Sequence, residues 1–427
     1  MPFRSLSLFL TLILLIFAAC KKDEHRVPVA NFVTPTLVHP GDTLTIHGSH
    51  LGTDPTKVQI NLNENTPLPV IKAADSIIRV LLPSADHFDF WGPRGFTVTF
   101  DISSAGYSVT FNITMAMPEP TGWFTVSTLP GLSTVFPIEI NFPTDSIGYY
   151  HSYNGLLKTR DGGETWQSIS SPLNYSPNVV GVFDTSHLWY GVGDFRLYTT
   201  NDGGRSWQYD PLPAYLVASG GIYMSSPTTG KIVDANGRIY NVSGSFDTTS
   251  GMALEHTSPY AQFGTFGGGL DVYFSFSAID KDNLMAGGGG SEYYGLAAIT
   301  VKTNGVYDDY TLTATQWPLI KVLLVNNNLG FAIDTKNELL RYTGSRTWGM
   351  LPQKATAVYF ANATTGYIAD DKSIYLTRDG GLSWNPVFTL RPGDSVFTIT
   401  GLHGKVWAIG NNNSGGAPVG FIYKYNP

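Results

Sequence analysis

The chain has 427 residues, a formal net charge of −7, 13% aromatic against 14% charged residues, 46 Gly and 26 Pro. That length exceeds one ordinary core, and a composition rich in aromatics and turn formers points to short strands rather than helices or disorder. There is no basic excess to serve as an electrostatic footprint, so nucleic acid is not an expected partner.

The first twenty residues, MPFRSLSLFLTLILLIFAAC, carry one early cation (Arg4), an apolar run from Leu6 to Phe17 and small residues before Cys20. This is the pattern of an export signal, with an apolar run too short for a membrane span. The stretch FAAC resembles a bacterial lipobox, although Phe17 stands where Leu is usual. The resemblance implies that Cys20 is acylated and becomes the mature N-terminus. KKDEH after it resembles the surface-export signals of Bacteroidota lipoproteins. The expected organisation is a signal peptide over 1–19 and a lipidated tether over 20–27. The lipid on Cys20 would then make the outer membrane a partner and place the chain at the cell surface. Cys20 is the one cysteine, so packing alone must hold the folded parts together.

From Pro35 to Gly52, PTLVHPGDTLTIHGSHLG places alternating Leu44 and Ile46 after a Pro40-Gly41 turn, a strand signature. Alternating runs follow at Lys57–Leu62, Ile77–Leu82, Phe96–Ile102 and Ser108–Thr114. Short strands this dense predict a small β-sandwich over 28–118. The proline, glycine and leucine spacing resembles the IPT/TIG branch of immunoglobulin-like domains, which implies a spacer or protein-contact module. His47 and His50 flank Gly48, but no HExxH or paired-Cys spacing supports a metal, and none is expected. Phe88, Phe90 and Trp91 in DHFDFWGP form an aromatic loop that reads equally as a contact surface or as packing.

Three segments share Thr-x-Asp-Gly-Gly-x-[Ser/Thr]-Trp: TRDGGETW, TNDGGRSW and TRDGGLSW, built on Asp161, Gly163 and Trp166, on Asp202, Gly204 and Trp207, and on Asp379, Gly381 and Trp384. Asp161 and Asp202 stand 41 residues apart, and a period near 40 in a strand-rich chain is that of propeller blades. Units without the box follow the same strand pattern, and YTGSRTW keeps Trp348 with Thr343 at the Asp position. The last unit is one strand short, while WFTV (Trp123–Val126) is a tryptophan strand with nothing before it. Pairing the two closes a seven-bladed propeller over 119–427 and removes both sheet edges. The fold class expected is therefore all-β, a small immunoglobulin-like sandwich followed by that propeller. The boxes resemble the Asp-box (BNR) repeats of sialidases, sortilin-type receptors and photosystem II assembly-factor propellers, motifs specific for fold and nearly silent on function.

In such a blade the box joins strands three and four, so the strand two–three turns lie on the opposite face. These turns supply Tyr153, Asp194 and Arg196, then Asp234 and Arg238, then Glu292, Tyr293 and Tyr294, then Asp334, Asp370, Asp371 and Asn412. Converging on one axis, they would form a polar, partly aromatic rim suited to a glycan or a polar protein partner. The bland alternative is that turns are polar because they are solvated.

An enzyme would need more. Sialidases resembling this repeat use an arginine trio, yet no arginine occurs between Thr121 and Thr159, and the arginines of the boxes lie on the wrong face. Sialidase action is not expected. Other glycosidases need two carboxylates, for which Glu292 with Asp234 or Asp370 are candidates. No cofactor motif is present. The favoured reading is a lipid-anchored binding protein without catalytic residues; the alternatives are a glycoside hydrolase and an envelope assembly factor.

Overall fold

The computed structural model describes residues 27–35, 38, 41–62, 66–82, 96–104, 107–115, 121–129, 137–152, 155–169, 179–192, 196–211, 220–234, 237–243, 251–260, 275–289, 297–414 and 419–427. The chain divides into two compact units, Met1–Glu119 and Pro120–Pro427. The described elements are all strands, and no helix among the described residues is long and apolar enough to cross a membrane. The signal and lipidation segment (1–26) and the aromatic loop with Phe88, Phe90 and Trp91 lie outside the described residues.

The first unit is a sandwich of two four-stranded antiparallel sheets. One orders β1 (Val29–Thr34), β2 (Thr43–Ser49), β6 (Ile77–Leu81) and β5 (Val70–Ala74). The other orders β4 (Thr66–Leu68), β3 (Gln59–Leu62), β7 (Phe96–Ser104) and β8 (Tyr107–Met115). Alternation does the folding: Leu44, Ile46, Ile78 and Val80 face inward onto Val33, Val58, Ile60 and Ile102, and all are buried. The short β4 and β5 carried too few alternating apolar residues to be read in the sequence. His47 and His50 turn to separate partners, His47 to the Thr34 hydroxyl at 3.0 Å and the Phe32 ring at 4.4 Å, His50 to Asp75 at 3.7 Å.

The second unit is a seven-bladed propeller of four-stranded antiparallel sheets: blades 1 to 6 over 137–168, 179–211, 221–257, 275–311, 319–354 and 357–389, and blade 7 over 394–426. Blade 7 receives its fourth strand from β9 (Gly122–Leu129), which pairs antiparallel with Val419–Asn426. The first strands of successive blades lie against one another around the ring, that of blade 7 against that of blade 1, so the ring is closed. Trp123 of β9 packs on Tyr367 and Phe388 of blade 6, as a tryptophan at the head of a fourth strand should.

Each box is a self-bonded turn. In blade 1 the Thr159 hydroxyl donates to Asp161 at 2.7 Å and accepts the Gly163 N–H at 2.9 Å, while Asp161 also accepts the Thr165 N–H at 2.9 Å and its hydroxyl at 2.5 Å. Blades 2 and 6 repeat these bonds around Asp202 and Asp379. The first glycine of each box then ties the blade together. Its N–H donates to the strand one–two turn of its own blade: Gly162 to Ser146, Gly203 to Ser186 and Gly380 to Thr364, at 2.8–2.9 Å. Its carbonyl accepts from the preceding blade: Gly162 from the Trp407 indole at 2.9 Å, Gly203 from Lys158 at 3.1 Å, Gly380 from Arg341 at 2.8 Å. Only glycine fits at Gly203, where φ is +72° and a Cβ would lie 2.5 Å from the Lys158 ammonium and 2.7 Å from the Thr185 carbonyl.

Blades 3 and 4 carry no box and use charge instead. Glu255 of blade 3 binds buried Lys231 of its own blade and Lys302 of blade 4, the latter at 2.6 Å. His256 faces Asp309 of blade 4 at 2.9 Å and stacks on Tyr307 at 4.0 Å. Where the box of blade 5 has decayed to YTGSRTW, Arg346 reaches back to Asp308 of blade 4, and the Trp348 indole donates to the Tyr310 hydroxyl at 3.1 Å.

The box tryptophans meet the preceding blade, Trp166 among the residues packed with Trp407, Trp207 with Tyr149, Trp384 with Phe331, but all three are only half-buried. Among the described residues the fully buried indoles are Trp189 and Trp407 on second strands, Trp407 stacked on Phe142 of blade 1 at 3.9 Å. Trp407→Ala should therefore cost about 3–5 kcal/mol of stability, and Trp166→Ala roughly half as much because its ring is half-exposed. Denaturant unfolding of the two variants checks the order; a larger loss for Trp166→Ala would overturn it.

Candidate functional site

The strand two–three turns lie at the end of each blade opposite the boxes. They meet the connections from the fourth strand of the previous blade: in blade 5 the Thr335 N–H donates to the Pro318 carbonyl at 2.9 Å. This rim is the face on which the sequence places its ligand candidates. Tyr153, Asp194, Glu292, Tyr293 and Tyr294 lie outside the described residues. Arg196 opens the third strand of blade 2, opposite Val192 and Pro211, and its side chain lies outside what the structure describes.

The rim carboxylates have structural work. Asp234 is fully buried, accepts the Arg238 N–H at 2.9 Å and holds the Arg238 guanidinium at 2.6 Å. Asp334 is equally buried, accepting the Lys336 and Glu338 N–H groups at 2.8 and 3.0 Å and the Thr315 hydroxyl at 2.6 Å. Asp370 accepts the Lys372 and Ser373 N–H groups at 2.8 and 2.7 Å and the Tyr375 hydroxyl at 2.9 Å. Each closes its own turn with the Asx geometry that short polar side chains favour. A second aspartate thus recurs at the end of strand two, mirroring the box at the other end of the blade. The signal was visible in IVDANG, AIDTKN and IADDKS. Asn412 is likewise committed, its amide donating to the Pro392 carbonyl at 3.0 Å and to Asp394 at 2.6 Å. Asp394, which the sequence reading missed, is buried and also accepts from Arg391 and the Tyr423 hydroxyl. Asp371 remains exposed.

What the rim offers to solvent is different. Trp317, in the connection into blade 5, is 43% exposed, and the ammonium of Lys336 from the two–three turn lies 4.3 Å from its ring centroid. Ile320, also exposed, falls at the register shift between Leu319 and Lys321. Bulges of this kind re-aim side chains at sheet rims. Trp317 was not among the sequence candidates because it belongs to a blade-to-blade connection rather than to a two–three turn.

Inside the ring, Glu139 on the first strand of blade 1 and Lys321 on that of blade 5 each follow a register shift. Glu139 is exposed and Lys321 half-buried. Enclosure pushes the Glu139 carboxyl above its ordinary range and the Lys321 ammonium below its own, and each charge partly offsets the other's shift. Opposite Glu139 in register is His151, buried, its pKa pushed down to about 3 by burial. Its Nε2 has no hydrogen-bond partner among the described residues. Glu139, Asn141, Tyr149 and His151 line a small cavity together with Val180 and Val182 of blade 2.

The box carboxylates are electrostatically the reverse of a general acid. Asp202 and Asp379 are held well below the usual carboxylate range, first by the Ser206 and Ser383 hydroxyls and then by backbone N–H groups. At Asp161 burial pulls upward, and the Thr165 hydroxyl and N–H outweigh it.

With this geometry in place, the comparisons with known proteins are informative about fold. The sandwich is an IPT/TIG domain, matched over residues 28–114. The chain is similar in structure to YCF48 bound to D1 peptide, at 17% identity, over 73% of this chain and 98% of that one, with a TM-score of 0.56. It is similar to a quinonprotein alcohol dehydrogenase-like protein from Bacteroides thetaiotaomicron VPI-5482, at 10% identity, 85% and 96% coverage and a TM-score of 0.53. Virginiamycin B lyase from Staphylococcus aureus follows at 12% identity, 71% and 98% coverage and a TM-score of 0.51. At such identities the likeness is one of fold. No curated protein matches the sequence.

Because Asp379 has a lower pKa folded than unfolded, its contribution is complete above the ordinary carboxylate value of 3.8 and is lost as pH falls through the folded value. Asp379→Asn should lower the unfolding midpoint at neutral pH, and its gap to the native protein should narrow below about pH 4. Denaturant unfolding across a descending pH series measures this; a gap independent of pH would mean that the charge of the carboxylate does not brace the turn.

Proposed function

We propose that this protein is a lipid-anchored envelope protein without catalytic residues, whose propeller grips a glycan or protein partner at the rim opposite the Asp boxes. The observation that carries the reading is Trp317, an indole exposed on that rim under the Lys336 ammonium. An exposed aromatic face stacks on the C–H face of a sugar ring or on an apolar side chain, and the neighbouring cation and the carboxylate of Asp371 bind hydroxyls and amides. The reading is also supported by what the other rim carboxylates do. Asp234, Asp334 and Asp370 are spent on their own turns, whereas a hydrolase needs two carboxylates free to exchange protons with substrate. Anchoring rests on the apolar leader and Cys20, and surface placement on KKDEH after it.

Trp317→Ala should weaken partner capture from native envelope, or binding on a glycan array, by about tenfold or more, with a smaller loss of thermal stability than Trp166→Ala because its ring is the more exposed. Cys20→Ser should move the protein from the membrane to the soluble fraction. Capture unaffected by Trp317→Ala would sink the rim assignment. Release of reducing ends from surface polysaccharide that disappears in Glu292→Gln would replace binding with hydrolysis.

A further inference from the structure

With the rim opposite the boxes taken as the binding face, the reading on which this step rests, the charges that blades 5 to 7 expose there name a class of ligand. One station is the exposed Trp317 with the Lys336 ammonium 4.3 Å from its ring centroid. Lys336 is exposed and makes no ion pair among the described residues.

The second station lies in the connection from blade 6 to blade 7. There Arg391 is held from below. Its Nε donates to the buried Asp394 carboxylate at 3.1 Å, and its guanidinium carbon lies 5.5 and 5.7 Å from the Tyr423 and Phe421 ring centroids. The side chain is nevertheless 51% exposed, and its terminal nitrogens make no hydrogen bond among the described residues. A guanidinium fixed at Nε with its outer edge open is a fork preset for a carboxylate. Exposed Lys372 stands next to it, since the Leu390 N–H donates to the Lys372 carbonyl at 2.8 Å.

The two stations share one bonded arc of the rim. The connection between blades 5 and 6 joins them, the Ala355 N–H donating to the Asn337 carbonyl at 2.8 Å and the Thr356 N–H to the Ala369 carbonyl at 2.7 Å. Carboxylates of this arc are mostly occupied: Glu338 by Lys354 at 2.8 Å, Asp334, Asp370 and Asp394 by the bonds described above. Asp371 alone is exposed and unbonded among the described residues. The arc therefore turns cations outward in a chain whose net charge is −7.

We propose that the rim of blades 5 to 7 binds an acidic glycan, a chain of uronate residues laid from Trp317 to Arg391. Each uronate unit offers both things the stations take, an apolar C–H ring face for the indole and a carboxylate for the ammonium or the guanidinium fork. An acidic peptide also repeats carboxylates, but on flexible stems whose ordering every contact must offset.

The test titrates the full chain by calorimetry, at physiological salt, with hexamers of galacturonate and of mannuronate, with the methyl ester of each, and with poly-L-glutamate. At least one acid hexamer should bind about tenfold or more tightly than its ester. Arg391→Lys, which keeps the charge and loses the fork, should remove most of that margin. Lys336→Gln and Lys372→Gln, at exposed positions that leave the fold alone, should each reduce it by about twofold to fivefold. Asp371→Asn should widen it, and Trp317→Ala should weaken acid and ester together. No binding by any hexamer, a margin indifferent to Arg391, Lys336 and Lys372, or tighter binding of poly-L-glutamate would each overturn the proposal, the last in favour of an acidic protein partner. If acid and ester bind alike and both depend on Trp317, the acidic ligand is wrong and the rim reading stands. If no hexamer's binding depends on Trp317, both fall.

Discussion

One carbonyl governs how this ring is assembled. The first glycine of each Asp box turns its C=O toward the preceding blade, where Lys158, Arg341 or the Trp407 indole donates to it. Two of the donors stand across the strand pair from an aromatic, Lys158 opposite Tyr149 and Arg341 opposite Phe331; in the third the aromatic Trp407 is itself the donor and Lys424 stands opposite it. The ammoniums of Lys158 and Lys424 lie 4.9 and 5.6 Å from those ring centroids. A cation between two sheets loses water, so it is tolerated only where a ring face and a fixed carbonyl replace that water. The box supplies the carbonyl, and the self-bonding of its aspartate keeps the carbonyl aimed. Blades 3 and 4, lacking boxes, meet the same need with one carboxylate shared between two lysines, Glu255 with Lys231 and Lys302. Burial works against that carboxylate's charge, and the two ammoniums outweigh it. The symmetry of the fold thus rests on a requirement, that neighbouring sheets be bonded at their outer halves, met by two different chemistries.

The architecture was legible because its signals are local and repeated. A glycine pair after an aspartate can do little else but turn, and a period near 40 residues whose last unit is one strand short, with a lone strand before the first, admits ring closure by β9. Burial was less legible. The box tryptophans follow a turn at the outer strand, where the ring is only half-buried. Trp189 and Trp407 sit mid-strand in HLWYGV and KVWAIG, covered on both sides. Both-sided burial leaves no alternation for a sequence to display.

The candidate site shows the same division. Aspartates at the strand two–three turns read as ligand groups because turn chemistry and binding chemistry use the same residue. Asp234, Asp334 and Asp370 resolve in favour of the turn, since the backbone N–H groups they accept would otherwise lack partners. Their recurrence at one register was the available clue, because recurrence marks scaffold while recognition is particular to one blade. Trp317 occurs once, in a connection.

The electrostatics of the carboxyls bear on the choice between gripping a polysaccharide and cutting it. Cleavage by paired carboxyls requires one that stays protonated near neutral pH to deliver a proton, with a second, ionised, facing it. The carboxyls that bond their own turns are fixed as acceptors, and those of the boxes are pushed further toward the ionised form. Among the described residues, Glu139 is the one carboxyl whose surroundings push the opposite way, desolvation raising it while the charge of Lys321 works against that rise. Among the described residues, the carboxyls of this propeller are thus arranged to brace turns and neighbouring blades rather than to pass a proton to a leaving group.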